Sequence, residues 1–324
     1  MPVIAAAGIA GAVALAAAPA VAAPAGSAAT TCRISYLPVP DGGDAYRTGI
    51  EGGDVTGRYA VGSVEIDGRT EQVLWTNGVA GVPSLPFGEG KLVDVNSSGV
   101  AVGYGFTMNG TAIPVAWSRT TGLRELTVPE EGWSGQAAAI NSRGDVAGTV
   151  YDPADYDNTQ VAVVWPADAP GTVEVMPADG PHWAADLDED GTVVAHLGSY
   201  IWNTGGSAVW DRARDRVEQL GDRTFASAIS NGHVLRSRDS ADGTVHVVRA
   251  PNGTLRDLRH LDIAVAINRH GDVAGQGTVI ERRNGSTIRL ELPSGGIAWV
   301  TALSDTGIAY GTAAGLPAMW KNCR

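Results

Sequence analysis

Apolar residues along the chain arrive in short runs in which inward and outward positions alternate, and polar, glycine-containing turns cut each run off. Alternation with a period of two marks a half-buried β-strand. Five such runs end in tryptophan: QVLW at Trp75, PVAW at Trp117, AVVW at Trp165, SAVW at Trp210 and PAMW at Trp320. Hairpin signals follow, such as TNG at Asn77 and PNG at Asn252, and then a second short strand such as LRELTVP or TIRLELP.

Between these pairs another phrase recurs, INSRGDVAG at 140–148 and INRHGDVAG at 267–275. Loosened to an apolar residue, a polar turn ending in glycine and two or three apolar residues, it occurs seven times. The turn glycines read as Gly53, Gly99, Gly144, Gly191, Gly232, Gly271 and Gly307, and a second glycine follows at Gly57, Gly103, Gly148, Gly275 and Gly311. Asn96, Asn141 and Asn268 open their turns, where the left-handed backbone suits Asn and Gly. Four short strands recurring at this period make a β-propeller blade, a unit that cannot bury both faces alone and must close into a ring. The expected fold is therefore all-β: a seven-bladed propeller spanning 30–324 as a single domain.

The last unit stops at MWKNCR without a fourth strand, and CRISYLPVP near the start supplies one. Leu37-Pro38 matches Leu292-Pro293 and Met176-Pro177 in the other fourth strands. That places Cys32 beside Cys323, and two cysteines in an exported chain are expected to pair.

Residues 1–29 read as a secretory signal and short leader. The first 28 are uncharged and mostly Ala, Val, Ile and Gly, with small residues at Ala22 and Ala23 suited to cleavage. A secreted protein follows, with no membrane span once the signal is removed. The net charge is −12 with no run of Lys or Arg, so nucleic acid is not an expected partner, and a monomer is.

The units resemble HAF repeats, extracellular repeats of the form apolar-Asn-x-x-Gly-x-Val-x-Gly followed by a strand ending in tryptophan. Here Val163-Val164 and Val115-Ala116 replace the family's His-Ala-Phe. The resemblance implies an extracellular propeller without assigned catalytic residues.

Candidate chemistry is sparse. Asp186, Asp188 and Asp190 have the D-x-D-x-D-G spacing of a calcium loop, but Val194 and Leu197 stand where its later ligands belong. A solvated acidic turn is the first reading and calcium the alternative; no other cofactor is expected. The six histidines show no metal-ligand spacing. No nucleophile elbow or phosphate loop occurs. The aromatic residues that break the repeat are Trp183, Trp299, Trp202, Tyr46 and Phe225, which fall on loops entering the innermost strands or on a loop opening the same way. With His182 they form the candidate ligand surface, for a glycan or a protein, on a non-catalytic recognition module. The alternative is a carbohydrate-active hydrolase or lyase using carboxylates at the channel mouth.

Overall fold

The computed structural model describes residues 31–86, 89–198, 205–240 and 243–324. The expected signal at 1–29 and Trp202 lie outside them. Among the described residues, 28 strands form seven four-stranded antiparallel blades around one channel. Blade one runs outward from the channel as Gly43–Gly53, Tyr59–Ile66, Arg69–Thr76 and Val79–Gly81. The other innermost strands are Gly90–Val95, Ser134–Ile140, His182–Leu187, Thr224–Ser230, Ile263–Ile267 and Ala298–Leu303.

Thr31–Tyr36 is the fourth strand of blade seven. It lies antiparallel to Leu316–Lys321, with Arg33 opposite Lys321 and Tyr36 opposite Ala318. Cys32 and Cys323 are bonded, with Cα atoms 4.8 Å apart. The closing strand also pairs in parallel with blade six through Thr31–Arg289 and Cys32–Leu290, while Gln276 of blade six pairs with Trp299 of blade seven. Blades six and seven consequently share one continuous sheet.

Blade one corrects the expected phase of the repeat. The residue with positive φ is Gly57, not Gly53, and it joins Gly99, Gly144, Gly191, Gly232, Gly271 and Gly307 at φ +72° to +91°. Asp54 takes the role of the turn asparagine, its carboxylate accepting from the amides of Thr56, Arg58 and Tyr59. This turn is one residue longer, so the second glycine is Gly62. An aspartate in place of asparagine and the extra residue together hid the register.

The second glycine has a steric reason. Every innermost strand carries a β-bulge, as between Leu92 and Asp94 or Ala137 and Ala139. The residue opposite faces a carbonyl pushed out of line by the extra residue. A Cβ at Gly62, Gly103, Gly148, Gly275 or Gly311 would collide with the carbonyl of Gly49, Lys91, Gln136, Ile263 or Trp299. Blades four and five carry Ala195 and Arg236 there, opposite Ala184 and Ala226.

The tryptophans tie neighbouring blades. Trp75, Trp165 and Trp320 are buried, and each indole N–H donates to a carbonyl in the preceding blade's outer segment: Pro38, Thr127 and Glu291, at 2.8, 2.6 and 2.8 Å. The two units without this tryptophan make the same tie with charge. Arg249 donates to Glu218 at 2.7 Å across blades five and four. Glu281, 2% exposed, accepts from Arg256 and from the amides of Arg259 and His260 across blades six and five. The turn asparagines add a second tie, because Asn96 donates to the Asn141 carbonyl and Asn141 to that of Asp188.

Gly103→Ala is expected to destabilise by about 1–3 kcal/mol, the usual cost of forcing a methyl into packed backbone, measured by denaturant unfolding. Cys32→Ser removes a cross-link closing a sequence separation of 291, worth at most about 5–6 kcal/mol by the chain-entropy relation. Its melting temperature should fall, with amide exchange rising first in blade seven; unchanged melting would show that strand pairing alone closes the ring.

Candidate functional site

The two ends of the ring differ in composition. At one end the chain enters each innermost strand, and here Trp183, Trp299, Tyr46 and Phe225 lie, the repeat-breaking aromatics among the described residues. Trp183 lies directly opposite His196 in the blade-four hairpin, and the rings stack with centroids 5.0 Å apart at 26°. His196 in turn faces Phe225 of blade five at 6.0 Å and 35°. Trp183, His196 and Phe225 thus form one half-buried aromatic row across blades four and five. Burial holds the His196 imidazolium form down to about 4, so the ring in the row is neutral at physiological pH. Its Nδ1 lies 3.3 Å from the Ser207 hydroxyl, which donates to the Thr224 carbonyl and accepts from the Ala226 amide. The row is therefore anchored from beneath by a bond network joining the two blades.

A second patch covers blades six, seven and one. Trp299 is 40% exposed and pairs through its backbone with Gln276, which also pairs with Ile263. Ile297 is 58% exposed, and its carbonyl accepts from Ala314 in the adjacent hairpin. Tyr46, 75% exposed, leans over that hairpin beside Gly315.

His182 belongs to neither patch. It is 1% exposed, and its Nδ1 accepts the Ala162 amide at 2.8 Å, so it packs between blades three and four. His196 is the histidine at the aromatic surface. Metal-ligand spacing does not single it out, but folding the hairpin about its turn would have placed it opposite Trp183.

The other end of the channel holds a cavity of about 270 Å³, lined by all seven innermost strands between their bulges and their turns. Asp94 and Asp186 occupy the same position in blades two and four, just after the bulge. Asp94 accepts from its neighbour Val95 and from Ile140 of blade three, at 2.8 and 2.9 Å. Asp186 accepts from Leu187 and from Ile229 of blade five, at 2.8 and 2.7 Å. An innermost strand has no partner on its channel side, so its inward amides need acceptors. The two carboxylates provide them. Both open partly onto the lumen yet lie deep in the ring. Burial pushes Asp94 up to about 8 and Asp186 up to about 7, against the pull of the amides.

The three aspartates of the calcium-like spacing do not converge. Asp186 bridges blades four and five, Asp188 accepts the amides of Glu189, Asn231 and Gly232, and Asp190 accepts that of Thr192. Among the described residues no group of three or more His, Cys, Asp or Glu is arranged to hold a metal.

No family model and no curated protein sequence matches the chain. Solved structures do resemble it in fold. A streptogramin B lyase superposes with a TM-score of 0.54 at 12% identity, over 90% of this chain and 97% of its own. The propeller domain of the Trilobed protease from Pyrococcus furiosus, described as an open velcro topology, gives 0.57 at 9% over 86% and 95%. Oligogalacturonate lyase from Vibrio parahaemolyticus gives 0.52 at 10% over 90% and 97%. At these identities the likeness establishes the propeller fold alone. The present ring differs from the Pyrococcus domain's open description in being closed by its N-terminal strand.

The channel carboxylates set an expected pH dependence. A carboxyl with a folded value above its unfolded one binds more protons when folded, so stability falls as pH rises towards the folded value. His196, with a lowered value, opposes this only below its unfolded value of 6.5. Between pH 6.5 and about 8.5 the melting temperature should therefore fall, and Asp94→Asn should flatten that slope. A wild-type melting temperature that stays level across this range would show the carboxylates already ionised.

Proposed function

We propose that the protein is an exported, non-catalytic recognition module that binds an uncharged extracellular glycan on the aromatic end of the ring. The observation that carries this reading is the coexistence on one end of the stacked Trp183–His196–Phe225 row and the exposed Trp299–Tyr46 patch. Flat rings offer a large rigid surface at small entropic cost, which suits the apolar faces of sugar rings. Acidic side chains on the surrounding loops, among them Asp44, Glu130, Glu131 and Asp179, disfavour anionic polymers. The Cys32–Cys323 bond supports export, because such a cross-link persists in oxidising compartments. No helix among the described residues is long and apolar enough to cross a membrane. Kinship with HAF-repeat proteins remains part of the same proposal.

A second reading has one observation in its favour. Asp94 and Asp186 lie in one cavity with raised values, as a general acid and base would. Against it, all four of their oxygens accept backbone amides, and the cavity lies at the opposite end from the aromatics. An Asp94→Asn, Asp186→Asn variant that loses turnover of a glycan the wild type cleaves would establish this reading in place of the first.

A glycan array on the purified protein should identify a ligand. Trp183→Ala and Trp299→Ala should each weaken its binding at least about tenfold, the value of about 1.4 kcal/mol of lost stacking. Melting of the Trp299 variant should stay within a few degrees of wild type, since that ring is at the surface. Full binding by both variants would show that the aromatics serve packing alone.

A further inference from the structure

The sequence scatters its arginines, but the ring collects some of them. At the hairpin-turn end of blades six and seven, six basic side chains come together from four separated segments: Arg33, Arg269, Arg282, Arg283, Lys321 and Arg324. All but Arg282 are exposed, and Arg282 is half-exposed.

Their adjacency follows from the closure. Arg33 and Lys321 are cross-strand partners on the closing strand and its neighbour. Cys323 bonds through its amide to the Gly307 carbonyl, so Arg324 lies along the blade-seven turn, with Nη2 3.4 Å from the Asp305 carbonyl. Arg269 approaches the same Asp305, Nε to Oδ2 at 3.8 Å, from the blade-six turn. Arg282 and Arg283 form the neighbouring outer hairpin, where the Arg283 amide donates to Asp272. Asp305 and Asp272 are the acidic residues among these turns, and both are already engaged. The opposite end of the ring exposes Asp41, Asp44, Glu130, Glu131, Asp155 and Asp179 on its loops. The exposed acids at the turn end, Asp168, Glu189, Asp190 and Asp215, stand on blades three and four, away from the seam, so a molecule with a net charge of −12 carries one local basic pole on blades six and seven.

We propose that this basic pole docks the propeller onto an anionic lipid bilayer, leaving the aromatic end facing away. One further fact favours a bilayer as the occupant. The basic groups stand on turn tips and strand ends of two adjacent blades, a layout spread along a rim, and the open hollow between Asp272, Arg282, Arg283 and Asn284 takes in only two of the six. Lys and Arg near an acidic membrane each add to attraction that acts within a Debye length. The repulsive acidic end then orients the ring. The proposal is independent of the glycan reading, which concerns the other end.

Sedimentation with vesicles tests it. The purified protein should pellet with phosphatidylcholine vesicles containing phosphatidylglycerol at roughly 0.1 M salt, and be released at roughly 0.5 M. It should not pellet with pure phosphatidylcholine. The variant R269Q/R282Q/R283Q/R324Q should bind at least about tenfold more weakly with unchanged melting, since these side chains make few internal bonds. The variant R69Q/R223Q/R238Q/R259Q removes equal charge at the opposite end and should bind as wild type. Equal binding to neutral vesicles, equal losses in both variants, or no vesicle binding by a protein that retains soluble polyphosphate would each overturn the assignment.

Discussion

Closure of the ring is the constraint on which the rest of this structure depends. A four-stranded blade exposes two faces, and each face is covered only by the next blade. Seven such units leave no free face only if the last meets the first. The chain achieves this by lending its first strand, Thr31–Tyr36, to the blade made by its last residues, and by joining Cys32 to Cys323 across the seam. Parallel pairing of the same strand with blade six extends the seam over two blades.

Between blades, one joint is made by three kinds of side chain. In five blades a group at the end of the third strand reaches a polar partner in the preceding blade's outer segment, whereas in blade four the buried Trp210 indole N–H has no protein partner. Trp75, Trp165 and Trp320 do so with an indole N–H, Arg249 with a guanidinium and Glu281 with a carboxylate. Buried charge at these joints is tolerable because it is paired and hydrogen-bonded. The apparent gaps in the repeat are substitutions of chemistry at a conserved geometry within the ring.

The channel shows the same economy of means. The bulge in each innermost strand turns backbone amides inward, and Asp94 and Asp186 accept four of them. Asp94 and Asp186, whose carboxyls burial pushes far up, are thus also supports of the channel walls. The proposed functions fall on the ends of the ring, where side chains are free to vary without breaking a blade. Those ends carry opposite character, aromatic and acidic at one, basic beside the seam at the other.

Much of this was legible in the chain itself. Strand alternation, tryptophan-ended runs and turn glycines specify blade, count and closure, because each is a local consequence of backbone geometry repeated at a period. The Cys32–Cys323 bond was legible for the same reason: completing the last repeat leaves one place for the first strand. Blade one was misphased because Asp54 and a longer turn replace the usual asparagine, and local pattern carries no record of which glycine has positive φ. The hairpin register would have placed His196 opposite Trp183, but the burial of His182 was not legible, since burial is decided by which blade covers a side chain. The aspartates at 186, 188 and 190 read as a solvated acidic turn with calcium as the alternative, and the fold directs each to its own amides. The basic pole is wholly a tertiary product: residues 33, 269, 282 and 324 meet only because the ring closes, and charge has no periodicity that would announce it beforehand.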